Sequence, residues 1–168
     1  MKDERLKLLR LNNQQHRGSS NKNMAQFVCG DTVNMSIREY SELPLVVTEH
    51  KSVNTGYVFG EVEDNKRKND NIISRCWFPL DFDGVPMDIF DTLIRACEAK
   101  VINAVVHTSY SHKKAANDHR YRLIAETSRS MTPEEYPACV TSFINDLVDD
   151  VPELVKYKDK IDPCTSVI

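Results

Sequence analysis

The sequence predicts an α+β fold, an RNA-recognition-like split β-α-β core with additional strands ahead of it. Three observations support this. Short β-type runs such as G-Y-V-F-G-E-V-E (56–63) follow Pro44. From residue 72 the elements read strand, helix, strand, strand, helix, the order of a split β-α-β unit. Along that stretch the apolar period alternates between two and about 3.6 residues.

The first two dozen residues carry six Lys/Arg against Asp3 and Glu4 and then run through N-N-Q-Q-H-R-G-S-S-N-K-N. They read as a short helix followed by a polar stretch with no regular period, so residues 1–23 are expected to form a basic, flexible lead-in and 24–168 the folded domain. After Pro44, P-L-V-V-T-E and G-Y-V-F-G-E-V-E read as strands, and E-D-N-K-R-K-N-D (63–70) as a solvated hairpin tip or loop.

Ile72 to Asp83 reads as a strand interrupted by Pro79, which cannot donate to a ladder. Strand geometry sends Asp81 and Asp83 to one face and Cys76, Phe78, Leu80 and Phe82 to the other, toward a core. Past Gly84 and Pro86, the positions Met87, Phe90, Leu93, Ile94 and Cys97 recur at helical spacing, predicting an amphipathic helix to about Ala99. V-I-N-A-V-V-H-T-S (101–109) reads as a buried strand. In H-R-Y-R-L-I-A (119–125), Arg120, Arg122 and Ile124 share one face, with Tyr121, Leu123 and Ala125 on the other. Thr132-Pro133-Glu134-Glu135 has the form of a capping box and opens a helix through Val140, Phe143, Ile144 and Leu147.

At 168 residues the chain has the length of one domain. Hydrophobic residues make up 40% and charged residues 28%, as in soluble globular proteins, and no run approaches the roughly 18 apolar residues of a membrane span. The start lacks the apolar block of a secretory signal. Five scattered cysteines (Cys29, Cys76, Cys97, Cys139 and Cys164), none paired as C-x-x-C, fit a reducing cytoplasm better than a disulfide framework or zinc knuckle. A net charge of -3 argues against bulk electrostatic binding of nucleic acid and leaves room for a local basic groove.

Nucleotidyl transfer requires divalent metal to neutralise a triphosphate, and Mg²⁺ or Mn²⁺ prefers carboxylate oxygens. Asp81 and Asp83, at i and i+2 on a strand, suit that task. Ser111, His112, Lys113, Arg120 and Arg122 concentrate donors suited to phosphate oxygens. The bland alternatives are that Lys113 and Lys114 lie in a solvated loop and that His112 caps the end of its strand.

The run from Trp77 to Tyr136, L-D-F-D-G, T-S-Y-S-H, H-R-Y-R-L-I and S-R-S-M-T-P-E-E-Y, resembles the archaeo-eukaryotic-type primase-polymerase domains of phages and plasmids. The resemblance implies a polymerase-palm fold in a DNA primase or polymerase, with Asp81 and Asp83 binding catalytic metal, His112 contacting the incoming nucleotide, and Arg120 and Arg122 near phosphate. It further implies a third metal carboxylate, best matched by Asp162 in I-D-P-C-T-S, with Asp149 and Asp150 as poorer matches. Implied partners are single-stranded DNA template, nucleoside triphosphates and a replicative helicase, in the cytoplasm of a bacterium or phage-infected host and with no membrane role. The sequence departs from the family at Tyr110, where its second motif has serine. It ends six residues after Asp162, so a C-terminally shortened catalytic domain is expected.

Two other readings use the same residues. L-D-F-D-G-V fits the opening motif of haloacid-dehalogenase-like phosphatases, with Asp81 as nucleophile, Asp83 as general acid, and Thr108, Lys113 and Asp149-Asp150 as later motifs. The early end of the chain is also compatible with a non-catalytic, replication-associated nucleic-acid-binding relative. Trp77 and Tyr121 are expected in the core and not as base-stacking platforms.

Overall fold

The computed structural model describes residues 5–11, 30–44, 56–66, 68–109, 112 and 119–163. Within them the chain is α+β with two antiparallel sheets. Two compact units are present. One comprises Met1–Cys76, Arg129–Pro133 and Ser166–Ile168, and the other Trp77–Ser128 and Glu134–Thr165.

The first unit is built on β1 (Leu6–Leu11), β2 (Gly30–Met35) and β3 (Tyr57–Val58), in the order β2-β1-β3. β1 is antiparallel to both neighbours, with Leu6 opposite Met35 and Leu9 opposite Val58. The short helix expected near the start is therefore a strand. A helix of six residues is marginal in water, whereas a central strand gains a ladder on each side and buries Leu8, Leu9 and Leu11. Leu9 and Leu11 form a core cluster with Val58 and Val62.

Helix α1 (Ile37–Ser41) opens on a capping box, with the Glu39 N–H donating to Ser36 Oγ at 3.2 Å and the Ser36 N–H to the Glu39 carboxylate at 2.9 Å. The charged run after β3 folds as an exposed tip. Val62 bridges Ile72 at its base, and 3-10 turns at Glu63–Asn65 and Asn69–Asn71 form its end. The P-L-V-V-T-E run after Pro44 lies outside the described residues.

The remaining elements, most of whose residues lie in the second unit, are β4 (Arg75–Asp83), α2 (Met87–Ala99), β5 (Ala104–Thr108), β6 (Arg120–Met131), α3 (Tyr136–Asp150), a 3-10 helix (Pro152–Lys160) and β7 (Ile161–Asp162). The sheet order is β5-β6-β4-β7. β5 is antiparallel to β6, and β4 to β7. Just beyond Asp83 and just before Arg120, the Gly84 N–H donates to the His119 carbonyl at 2.7 Å, which continues the β4–β6 pairing beyond the strand ends.

Aromatic contacts show which face the helices cover. Phe82 meets Phe90 of α2, Phe78 stacks on Phe143 of α3, and Phe90 stacks on Tyr121 of β6 at 4.1 Å. By strand alternation Asp81, Asp83, Arg120 and Arg122 lie on the opposite face. Trp77 and Tyr121 are buried, as expected of core residues.

Three local expectations change. β5 is not a buried strand: it ends the order of described strands, and Val106 is 38% exposed. Pro79 does not break β4. The β7 ladder meets that strand only at Asp81 and Phe82, so it makes no demand on a proline N–H. Residues 133–135 of T-P-E-E form a turn, and α3 starts at Tyr136 with Pro137 in its first turn, where a missing N–H is harmless. Tyr136 decides between these two starts. It is 1% exposed, its hydroxyl donates to the Trp77 carbonyl at 3.4 Å, and its ring lies against Phe78.

Candidate active site

Strand register assembles a row of polar side chains across the face opposite α2 and α3. Asp162 of β7 stands opposite Asp81 of β4. Arg122 of β6 grips Asp81 through Nε and a terminal nitrogen at 2.5 and 2.6 Å, a two-pronged, charge-assisted pair. His107 of β5 stands opposite Arg122. The row therefore reads Asp162, Asp81, Arg122, His107, one residue from each of four adjacent strands. One step toward the strand ends, Arg120 approaches Asp83 at 3.5 Å, a longer contact whose side chains are 37% and 53% exposed and which is correspondingly weak.

The backbone that presents this face changes direction at Gly84. Its φ of +73° is a conformation that side-chain-bearing residues rarely adopt, and it turns the chain directly after Asp83. The D-x-D pair is thus held by the end of a strand whose other face, at Leu80 and Phe82, is fully buried.

The two histidines offer different chemistry. His107 Nδ1–H donates to the Thr108 carbonyl at 3.0 Å, so in the neutral ring Nε2 carries a lone pair. That Nε2 is buried and has no hydrogen-bond partner among the described residues. Burial pushes the His107 pKa below its usual value. The Thr108 hydrogen bond opposes the shift, the Arg122 charge adds to it, and Asp81 partly offsets it. His112 is positioned otherwise. The Arg120 N–H donates to its Nδ1 at 3.1 Å, the Arg120 carbonyl lies 3.2 Å from the same atom, and its ring meets Tyr121 and His119. His112 thus caps the start of β6, and in its neutral form an Nδ1 that accepts leaves the hydrogen on Nε2.

Asp81, Asp83 and Asp162 supply the hard oxygen donors that Mg²⁺ or Mn²⁺ prefers, from adjacent strands on one face. As they stand, both Asp81 oxygens are engaged by Arg122, and among the described residues no three His, Cys, Asp or Glu side chains converge as a metal-holding group. The donor types are those a hard divalent cation prefers, and a cation at Asp81 would have to displace Arg122 from its carboxylate.

The family model described as the VapE N-terminal domain matches residues 21–157, well over half of the chain. The chain belongs to the VapE N-terminal domain family. This family is associated with phage and plasmid replication. No curated protein and no solved structure matches the chain significantly. The VapE N-terminal match includes Asp81, Asp83, His107, His112, Arg120 and Arg122, while Asp162 lies beyond it.

Of the residues singled out from sequence, the fold of this VapE N-terminal domain brings together Asp81, Asp83, Arg120, Arg122 and Asp162. It sets His112 at the end of β6 with no direct bond to these carboxylates among its described contacts. Ser111 and Lys113 lie outside the described residues. Asp150 instead bonds Lys100 at 2.5 Å, joining the ends of α3 and α2. Sequence reasoning missed His107. Its signal was present, a polar ring in the otherwise apolar A-V-V-H strand, but its neighbour across the sheet is set by register.

No helix among the described residues is long and apolar enough to cross a membrane.

Proposed function

We propose that this chain is a template-directed nucleotidyltransferase core of the primase-polymerase type, acting in phage or plasmid DNA replication. The observation that supports it most is the placement of Asp81, with Asp162 opposite on one side and the two-pronged Arg122 on the other. A carboxylate set and an arginine suited to phosphate thereby share one sheet face. The element order β4-α2-β5-β6-α3-β7, with β6 standing between β4 and β5, supports the split β-α-β palm reading.

In this reading Asp81, Asp83 and Asp162 would hold Mg²⁺ or Mn²⁺, which when bound neutralises the triphosphate and activates the attacking 3′-hydroxyl. Arg122, released from Asp81, and Arg120 would take phosphate oxygens. His112 would present its Nε2 side to the same triphosphate. Rate enhancement would come from positioning and from charge held ready on a rigid sheet. Single-stranded DNA and nucleoside triphosphates are the substrates, and a replicative helicase is the proposed partner.

The phosphatase reading lacks support in the fold, because its D-x-D strand belongs to a doubly wound parallel sheet and β4 here has an antiparallel neighbour in β7. Of its later motifs, Asp150 is tied to Lys100.

The test is synthesis on single-stranded DNA with labelled nucleotides and Mg²⁺ or Mn²⁺, comparing the chain with an Asp81→Asn, Asp83→Asn double variant. Template-dependent products from the first and not the second are expected. A folded chain that binds DNA without making product would overturn the catalytic reading in favour of a binding module. Phosphate release from small phosphoesters would favour the phosphatase.

A further inference from the structure

We infer that His107 is a nucleoside-recognising residue of this face, accepting a hydrogen bond from a sugar hydroxyl or base N–H of a nucleotide whose phosphates lie at Arg122. The inference rests on the nucleotide-binding reading above and extends it to the β5 end of the row.

Three observations lead to it. First, the His107 Nε2 is buried and has no hydrogen-bond partner among the described residues. A polar atom removed from water without a partner carries a desolvation penalty, so a ligand that supplies the partner recovers it on binding. Second, the Nδ1–H bond to the Thr108 carbonyl makes Nε2 the lone-pair nitrogen of the neutral ring, and burial favours the neutral form. That nitrogen accepts and does not donate, so a phosphate oxygen, itself an acceptor, is the wrong partner for it. Third, His107 stands opposite Arg122 on the side away from Asp81 and Asp162. The row spans three interstrand spacings, about 14 Å.

These observations sort the row by chemistry. Its carboxylate end suits a cation, Arg122 suits phosphate, and the β5 end offers a neutral acceptor. A nucleoside triphosphate has the same polarity, with anionic oxygens at one end and O–H and N–H donors at the other. His112, with its main-chain bond at Nδ1, offers the opposite hydrogen-bonding sense at Nε2 and suits the phosphates.

The experiment compares the binding of magnesium ATP and of magnesium tripolyphosphate to the whole chain and to its His107→Ala and His107→Gln variants. Imidazole ¹⁵N shifts of the unmodified chain are followed through the same titrations. His107→Ala should weaken ATP binding about tenfold and leave tripolyphosphate binding unchanged. His107→Gln, which retains an acceptor, should recover part of the loss, and ATP but not tripolyphosphate should move the His107 Nε2 resonance. Equal binding of ATP by all three proteins, or an Nε2 resonance unmoved at saturating ATP, would overturn the inference and leave the phosphate site standing. Failure of the unmodified chain to bind either ligand would instead overturn the nucleotide-binding reading, and the role of His107 with it.

Discussion

Asp81 presents both of its carboxylate oxygens to Arg122, across the adjacent strands β4 and β6. The pair is half-buried, with side chains 27% and 33% exposed, and it occupies the oxygens that a divalent cation would need. On the proposed metal-binding reading, Arg122 would compete with the cation for Asp81. Arg122→Gln should raise the affinity for Mn²⁺ several-fold, and Asp81→Asn should lower it in either background. Calorimetric titration with Mn²⁺ measures both, and an Arg122→Gln affinity equal to or below that of the unmodified chain would count against metal binding at Asp81.

The end of α2 contains a strained residue. Val101 has φ of +58° and is 78% exposed. Its N–H donates to the Glu98 carbonyl, and the Ile102 N–H to the Cys97 carbonyl at 2.9 Å, the paired bonds of a helix end that favours glycine at this position. A β-branched side chain in this left-handed conformation costs on the order of 1–2 kcal/mol, partly offset by the extra freedom glycine brings to the unfolded chain. Val101→Gly should therefore stabilise the chain by about 1 kcal/mol, read as a higher urea midpoint. A lower midpoint would show that Val101 makes contacts worth more than its strain.

Burial of His107 makes stability depend on pH in a definite direction. Its folded pKa lies below the usual value near 6.5, so as pH falls the unfolded chain takes up this proton first. The stability associated with a neutral His107 is present in full above the unfolded value and is lost as pH drops from there toward the lowered folded value. Urea unfolding followed from about pH 8 to about pH 5 should show a steeper loss for the unmodified chain than for His107→Gln. Parallel curves would contradict this.

Cys76 should be chemically silent in the folded chain. It is 1% exposed, and burial pushes its thiol pKa up to about 12, with Arg75 opposing the shift. At about pH 8 almost no thiolate forms, and thiolate is the reactive species. Iodoacetamide should leave Cys76 unmodified in the native chain and modify it in urea, as resolved by peptide mass spectrometry. Native labelling at a rate matching the half-buried Cys139 would refute the assignment.

Much of the second unit was legible in sequence because its signals are local. The alternation in W-F-P-L-D-F-D sent Asp81 and Asp83 to one face, the spacing of Phe90, Leu93 and Cys97 marked α2, and R-Y-R placed two arginines on one side of β6. The errors have the opposite character. L-K-L-L-R-L carries enough leucine for either a short helix or a strand, and pairing with the distant Gly30–Met35 decides for β1. T-P-E-E pointed to a start of α3 at Pro133, and the burial of Tyr136 against Phe78 goes with the later start at Tyr136.

The sequence by itself determined the residue types of the site and the face each occupies within its own strand, since a two-residue period is written in the chain. Tertiary structure alone decided which strands are neighbours. That choice sets Asp162 beside Asp81, gives Asp81 to Arg122, turns His112 into the cap of β6 and brings His107 into the row. Register across a sheet depends on ladder bonds between segments far apart in sequence, which no local pattern encodes.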